Sequence, residues 1–186
     1  CSGTVSFYNS EEENNFPKDN WKLSEENYIP LTKENLCTFI KESKNKPMLL
    51  GSKDLRLSLA GAQEKISLAY FNNIWHLPKN GAPSTHILKP TRSDELSTIA
   101  HNEFFCMKLA NKLKLPVPQT EILELDDLSV FVCQRYDRKL DFEKGTIQRI
   151  HQEDFCQALG IMNDIKYQAD GGPSLKDCFN LIQEKF

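Results

Sequence analysis

The stretch LRLSLAGAQEKISLAYFNNIWHLPKNGAPSTHILK, residues 55–89, decides how the chain is read. Four short apolar runs, LRLSL, KISLAYF, IWHL and HILK, alternate with turn-forming clusters. Short apolar runs bounded by Gly, Pro and Asn read as β-strands. Asn72-Asn73 supplies one of the turns, and Pro90 is expected to stop HILK. The first two strands are joined by SLAGAQEK, residues 58–65, with Gly61 at its centre and Lys65 at its exit. A loop this rich in small residues either turns a corner or covers something.

Working outward, the pattern changes period. Ile99, Phe104, Met107 and Ala110 recur at helical spacing, widened by Phe105, Leu109 and Leu113, which predicts a long helix over Leu96 to Leu113. PVPQ ends it. TEILEL and SVFVCQRYDR follow as two more strands, joined at Asp126-Asp127. After Arg138 the character becomes helical: HQEDFCQALG, the glycine-rich turn ADGGP, then PSLKDCFNLIQEKF. Upstream, TVSFY reads as a strand and SEEENNFPKDN as a loop. TKENLCTFIKESK reads as a helix with Thr32 as N-cap and Leu36, Phe39 and Ile40 on one face.

Composition narrows the classes of function. The 186 residues carry 39% apolar side chains, enough for a real core, and a net charge of −3 with both signs mixed. No basic patch marks a nucleic-acid footprint. The apolar runs are too short to cross a membrane, and the polar N-terminus has no secretory h-region. The cysteines at 1, 37, 106, 133, 156 and 178 form no C-x-x-C pair, and most sit among apolar neighbours. This reads as a reduced cytoplasmic chain without a zinc site. A start at Cys1 and an end at Phe186, directly after an amphipathic pattern, read as a piece of something longer.

Strand, loop, strand, two further strands, one helix, two strands and then helices is an α+β order. It is the order of a protein-kinase small lobe, an antiparallel sheet with one inserted helix, followed by the first helices of a helical large lobe. That lobe needs a loop over the nucleotide phosphates, a strand Lys to reach them, a helix Glu to hold the Lys, and a strand running into a hinge. Small residues at Ala60, Gly61 and Ala62 would let backbone N–H groups approach phosphate oxygens. Lys89 in THILKP is the strand lysine, Glu103 in HNEFF the helix glutamate, and CQRYD, residues 133–137, the hinge. Each feature has a plainer reading: a hairpin turn, a solvated Lys, a surface Glu, and a simple salt bridge or turn at Asp137 and Arg138. A domain with no nucleotide site would have Lys89 and Glu103 pointing apart.

The ordered set SLAGAQEK, THILKP, NEFFCMKLA, VPQTEIL, QRYDR, HQEDFCQALG and KYQADGGPS resembles the HipA family, from about Pro47 to Pro173. These are bacterial serine/threonine kinases that act as toxins of toxin–antitoxin pairs. The resemblance implies a divergent kinase fold, with residues 1–54 part of an N-terminal subdomain, 55–138 a small lobe with hinge, and 139–186 the start of a large lobe. It implies that Ala60, Gly61, Ala62, Gln63, Glu64 and Lys65 form the phosphate loop and that Lys89 contacts the phosphates of ATP. Gln134, Arg135 and Tyr136 would hold adenine through backbone groups, with Asp137 near the ribose. Family members often carry Glu and Phe where this chain has Gln134 and Tyr136. Ser58 aligns with a loop serine that some members autophosphorylate; a phosphate there adds roughly −1.5 to −2 charges beside the site.

The catalytic Asp and Asn and the Mg²⁺ ligands are expected after Phe186, because no H-x-D-x-x-x-x-N loop is present and Asp170 in DGGP follows the hinge too closely. This chain alone is therefore expected to be inactive. The resemblance further implies a serine on a translation-related protein as substrate, such as an aminoacyl-tRNA synthetase, and a helix-turn-helix antitoxin of the HipB type as partner. The alternative is a non-catalytic, truncated paralogue that acts by interaction.

Overall fold

The computed structural model describes residues 20–43, 65–92 and 98–185. The strand expected at TVSFY, the strand LRLSL and most of SLAGAQEK lie outside the described residues. The fold is α+β with antiparallel sheets and few helices. Described residues through Ile150 belong to one compact unit, and His151–Lys185 belong to a second.

In the first unit, six strands form an antiparallel sheet in the order β2-β4-β3-β5-β7-β6. They are β2 (Tyr28–Leu31), β3 (Ile66–Phe71), β4 (Ile74–Pro78), β5 (His86–Arg92), β6 (Thr120–Leu125) and β7 (Leu128–Gln134). Asn72 and Asn73 turn β3 into β4 with φ of 52° and 59°, the left-handed backbone that asparagine tolerates. β5 is the central strand that positions the site, paired with β3 through Ile66↔Leu88 and with β7 through Lys89↔Phe131.

Pro90 does not stop β5, which runs on to Arg92. The reason lies in strand parity. The Gln134 N–H donates to the Gln119 carbonyl, away from β5. By alternation, Phe131 and Cys133 bond toward β5, while Leu88 and Pro90 turn their backbone groups toward β3. β3 begins at Ile66, opposite Leu88, so no described ladder partner is asked of the proline nitrogen.

Two helices pack on this sheet. α1 (Lys33–Ser43) begins after Thr32, whose Oγ1 accepts from the Asn35 N–H at 3.2 Å. It buries Leu36, Cys37 and Ile40 against Leu68, Leu88, Val130 and Val132. α2 (Ile99–Lys112) touches β5, β6 and β7. Leu88 joins the α1 core while its neighbour Lys89 meets Glu103 of α2. Successive strand residues point to opposite faces, so the two helices cover opposite faces of the sheet. The broad stripe expected on α2 is not buried: Ala100 is the buried residue of the helix, and Phe105 and Leu113 are 63% and 66% exposed.

Three strands go beyond the sequence-based reading. β1 (Asn20–Lys22), β8 (Arg138–Asp141) and β9 (Thr146–Arg149) form a second antiparallel sheet in the order β1-β9-β8. β2 is likewise an addition, and residues 138–149 form a hairpin where helical character was expected. Inside this corner Tyr28, Phe71, Ala82 and Ile147 are buried together, with Trp21 and Leu140 against them. The Tyr28 hydroxyl donates to the Pro83 carbonyl at 3.0 Å.

The second unit is built from small helical pieces. α3 (Phe155–Ala158) starts from a capping box between Asp154 and Gln157. Two single-turn 3₁₀ segments follow, Asn163–Ile165 and Gln168–Asp170, the latter ended by Gly171 at φ 89°. α4 (Leu175–Lys185) starts at Ser174, whose hydroxyl accepts from the Asp177 N–H at 3.2 Å while the Asp177 carboxylate takes the Ser174 N–H at 2.8 Å. Leu175, Phe179 and Ile182 on α4 are exposed.

Candidate functional site

Four residues meet on the α2 face of the sheet. Lys89 stands in the middle of β5, and its Nζ donates to Glu103 Oε1 across from α2. The two side chains are 20% and 29% exposed. The ammonium also lies 5.4 Å from the centre of the Phe131 ring. Cys133, two residues along β7 on the same face, completes the group. Burial pushes its thiol pKa up, Lys89 pulls it down and Glu103 pushes it up again, and the net direction is upward. Cys133 is therefore a neutral packing group here and not a poised nucleophile.

This arrangement offers one half-buried cation, oriented by a carboxylate and aimed by a rigid central strand. What it can offer chemically is a cation held in one place. Glu103 sets where the ammonium sits, since an unpaired lysine on a four-carbon stem would have no preferred position.

β7 carries the chain from this face into residues 134–137. The Gln134 N–H is taken by the Gln119 carbonyl at 2.9 Å and the Arg135 N–H by the Thr85 carbonyl at 2.8 Å. The Gln134 carbonyl accepts from the Cys133 thiol at 3.6 Å and has no backbone partner among the described residues. The Tyr136 N–H has no partner among them either, and its side chain is 75% exposed. One acceptor with a lone pair to spare and one donor without a partner among the described residues thus stand two residues apart at the end of the strand that carries Phe131 and Cys133.

Asp137 turns the other way and is 5% exposed. Its Oδ1 accepts from Arg135 Nε at 2.9 Å, and its Oδ2 from Arg135 Nη2 at 2.7 Å and Arg138 Nη1 at 2.8 Å. Burial pushes this carboxyl up, but the hydrogen bond from Arg135 and the charges of Arg138 and Arg135 outweigh it and hold it below the usual carboxylate range. Arg138 Nε donates to the Ser84 carbonyl at 2.8 Å. Burial first, and the neighbouring Arg135 second, bring the Arg138 pKa down to about 10.

Of the other sequence-predicted residues, Ser58, Ala60, Gly61, Ala62, Gln63 and Glu64 lie outside the described residues. Lys65 sits half-exposed just before β3. The structure adds Phe131 and Cys133 to the Lys89 neighbourhood. The alternation of SVFVCQ carried that signal, because positions 131 and 133 share one face. It also adds the Arg135 side chain and Ser84. Among the described residues no group of three or more His, Cys, Asp or Glu is placed to hold a metal ion, and no helix is long and apolar enough to cross a membrane.

Comparison with known proteins gives the family. Residues 57–186 match the model of the HipA-like C-terminal domain. The chain belongs to that family. A Sinorhizobium fredii protein named "Putative kinase Y4mE" is 40% identical over 161 residues, which cover 87% of this chain and 38% of that protein. The serine/threonine-protein kinase toxin HipA of Shewanella oneidensis is 29% identical over 150 residues, covering 81% of this chain and 34% of the toxin. A solved structure of Shewanella oneidensis HipA with HipB and its operator DNA superposes with a TM-score of 0.62, at 29% identity over 84% of this chain and 36% of that one. The HipA-like chain therefore spans little more than a third of the relatives it matches.

Proposed function

We propose that this HipA-like chain is the nucleotide-binding half of a serine/threonine protein kinase. Under this reading, residues through the hinge are its small lobe and the later helices open its large lobe. The observation that carries the proposal is the Lys89–Glu103 pair on the sheet face shared with Phe131 and Cys133, on the strand that runs into residues 134–137.

The residues fit Mg-ATP in this manner. Lys89, held by Glu103, faces the phosphates. The Gln134 carbonyl accepts from the adenine amino group and the Tyr136 N–H donates to a ring nitrogen, so the adenine edge is read by backbone and the Gln and Tyr side chains are free to vary. By the family resemblance Ala60 to Lys65 would contact the phosphates, and phosphorylation of Ser58 would place charge against them. Mg²⁺, when bound, would offset the phosphate charge, and we propose that its ligands and the catalytic Asp lie outside these 186 residues. The protein substrate is a serine on a translation-related protein. A HipB-type antitoxin is the proposed partner, supported by the HipA–HipB–DNA assembly of the Shewanella oneidensis relative.

Calorimetric titration of the full-length protein with Mg-ATP, alongside Lys89→Ala, tests the reading. The expected result is binding that weakens at least tenfold in the variant, roughly the loss of one charge-assisted contact. Equal binding by both proteins, or none by the wild type, overturns it.

A further inference from the structure

Asp137 is a buried carboxylate with both oxygens engaged, one residue beyond the open Tyr136 N–H. Arg135 grips it with two parallel hydrogen bonds, the forked geometry that fixes direction as well as distance. The two residues stand on either side of Tyr136, so the fork closes a ring around Tyr136 and restrains its backbone. Arg138 closes the clamp from the far side and ties it to the Ser84 carbonyl. The backbone joins in: the Arg135 N–H is held by Thr85, and the Asp137 carbonyl accepts from the Ile150 N–H at 2.9 Å.

Resting on the hinge reading above, we infer that Asp137 is a positioning residue. The Arg135–Asp137–Arg138 clamp sets residues 134–136 so that the Gln134 carbonyl and the Tyr136 N–H face the base together. Asp137 then acts on base recognition and leaves the ribose hydroxyls untouched. Two features of the structure argue for this role over direct ribose contact. The carboxylate side chain is 6% exposed, and its oxygens already accept three guanidinium hydrogen bonds. Removing its charge would leave the guanidinium groups of Arg135 and Arg138 facing one another, which splays the segment.

The test uses the full-length protein and its Asp137→Asn and Arg135→Lys variants. Affinities are measured for Mg-ATP, Mg-GTP, Mg-2′-deoxy-ATP and Mg-3′-deoxy-ATP. Arg135→Lys keeps a cation but loses the fork. In both variants ATP affinity should fall roughly tenfold, about one hydrogen bond lost from the base. The preference for ATP over GTP should shrink by the same factor, and the ratios of ATP to the two deoxy nucleotides should stay at their wild-type values. If Asp137→Asn fails to fold, Arg135→Lys decides alone.

A deoxy ratio that collapses in Asp137→Asn makes Asp137 a ribose ligand and overturns the inference. So does an equal loss for ATP and GTP with unchanged selectivity, which marks a purely structural salt bridge. Wild type that fails to bind Mg-ATP removes the hinge reading and the inference with it. Wild type that binds, with both variants unaffected, removes the clamp alone.

Discussion

Breaking the Lys89–Glu103 pair should weaken the fold and the site together, by an amount that follows from its burial. Two unit charges with centres about 4 Å apart attract by about 4 kcal/mol at an effective dielectric of about 20. Exposed pairs retain almost none of this, about 0–1 kcal/mol, and breaking a fully buried pair costs about 3–5 kcal/mol. With side chains 20% and 29% exposed, the pair falls between these limits. A coupling of about 1–2 kcal/mol is expected, the lysine keeping its contact with the Phe131 ring when Glu103 is neutralised. A double-mutant cycle of Glu103→Gln and Lys89→Met, read by chemical denaturation, measures it directly. Glu103→Gln alone should lower Tm by about 2–8 °C for a chain of this size. The same substitution should weaken Mg-ATP binding, because the ammonium loses its fixed position. A coupling below about 0.3 kcal/mol, within the scatter of independent sites, would refute the reasoning and make Glu103 a bystander.

Two further outcomes are expected. Burial lowers the His86 pKa from 6.5 to about 4, and His76 is shifted in the same direction by burial. The unfolded chain therefore binds more protons between these values, and stability is full above about pH 6.5 and declines as pH falls toward 4. Denaturation midpoints at pH 7, 5.5 and 4 should show a loss of about 2 kcal/mol, discounted for partial exposure of the ring, and His86→Gln should flatten the slope. Gly172 has no room for a side chain: a Cβ there would lie 2.7 Å from the Lys166 carbonyl carbon and 2.8 Å from the Tyr167 oxygen. Gly172→Ala should open the 163–172 turns and speed proteolysis in that segment, and unchanged cleavage would count against the packing described.

Much of the sheet was legible because its signals are local. KISLAYF, IWHL and TEILEL carry their own apolar pattern, and Asn72-Asn73 and Asp126-Asp127 mark their turns. The pairing of Lys89 with Glu103 was legible as order along the chain, a strand lysine followed by a helix glutamate, although their separation in space depends on how α2 lies on the sheet. The hairpin of β8 and β9 was hidden because RKLD and TIQR each contain a single apolar residue, Leu140 and Ile147. What makes them strands is the company of β1 and the buried corner around Tyr28, and neither is local. The exposed stripe on α2 shows the converse: period alone says that a face is apolar and leaves open what covers it. Asp137 was read by its place in a motif, and its inward direction depends on guanidinium groups whose aim no spacing reveals.

The pairing of β1 with β9 also bears on the order in which the molecule is made. Trp21 stands opposite Ile147, and Asn20 opposite Gln148. During synthesis, β1 leaves the ribosome long before the strand that pairs with it exists. β3, β4 and β5 lie close together in the chain and can form their ladders first, while the corner around Tyr28 must wait for Ile147. Closing so long a loop is slow, because the entropy is lost before the contact forms. The Trp21 edge therefore cannot find its partner until β9 has been made, and β9 completes the unit only as its last residues appear.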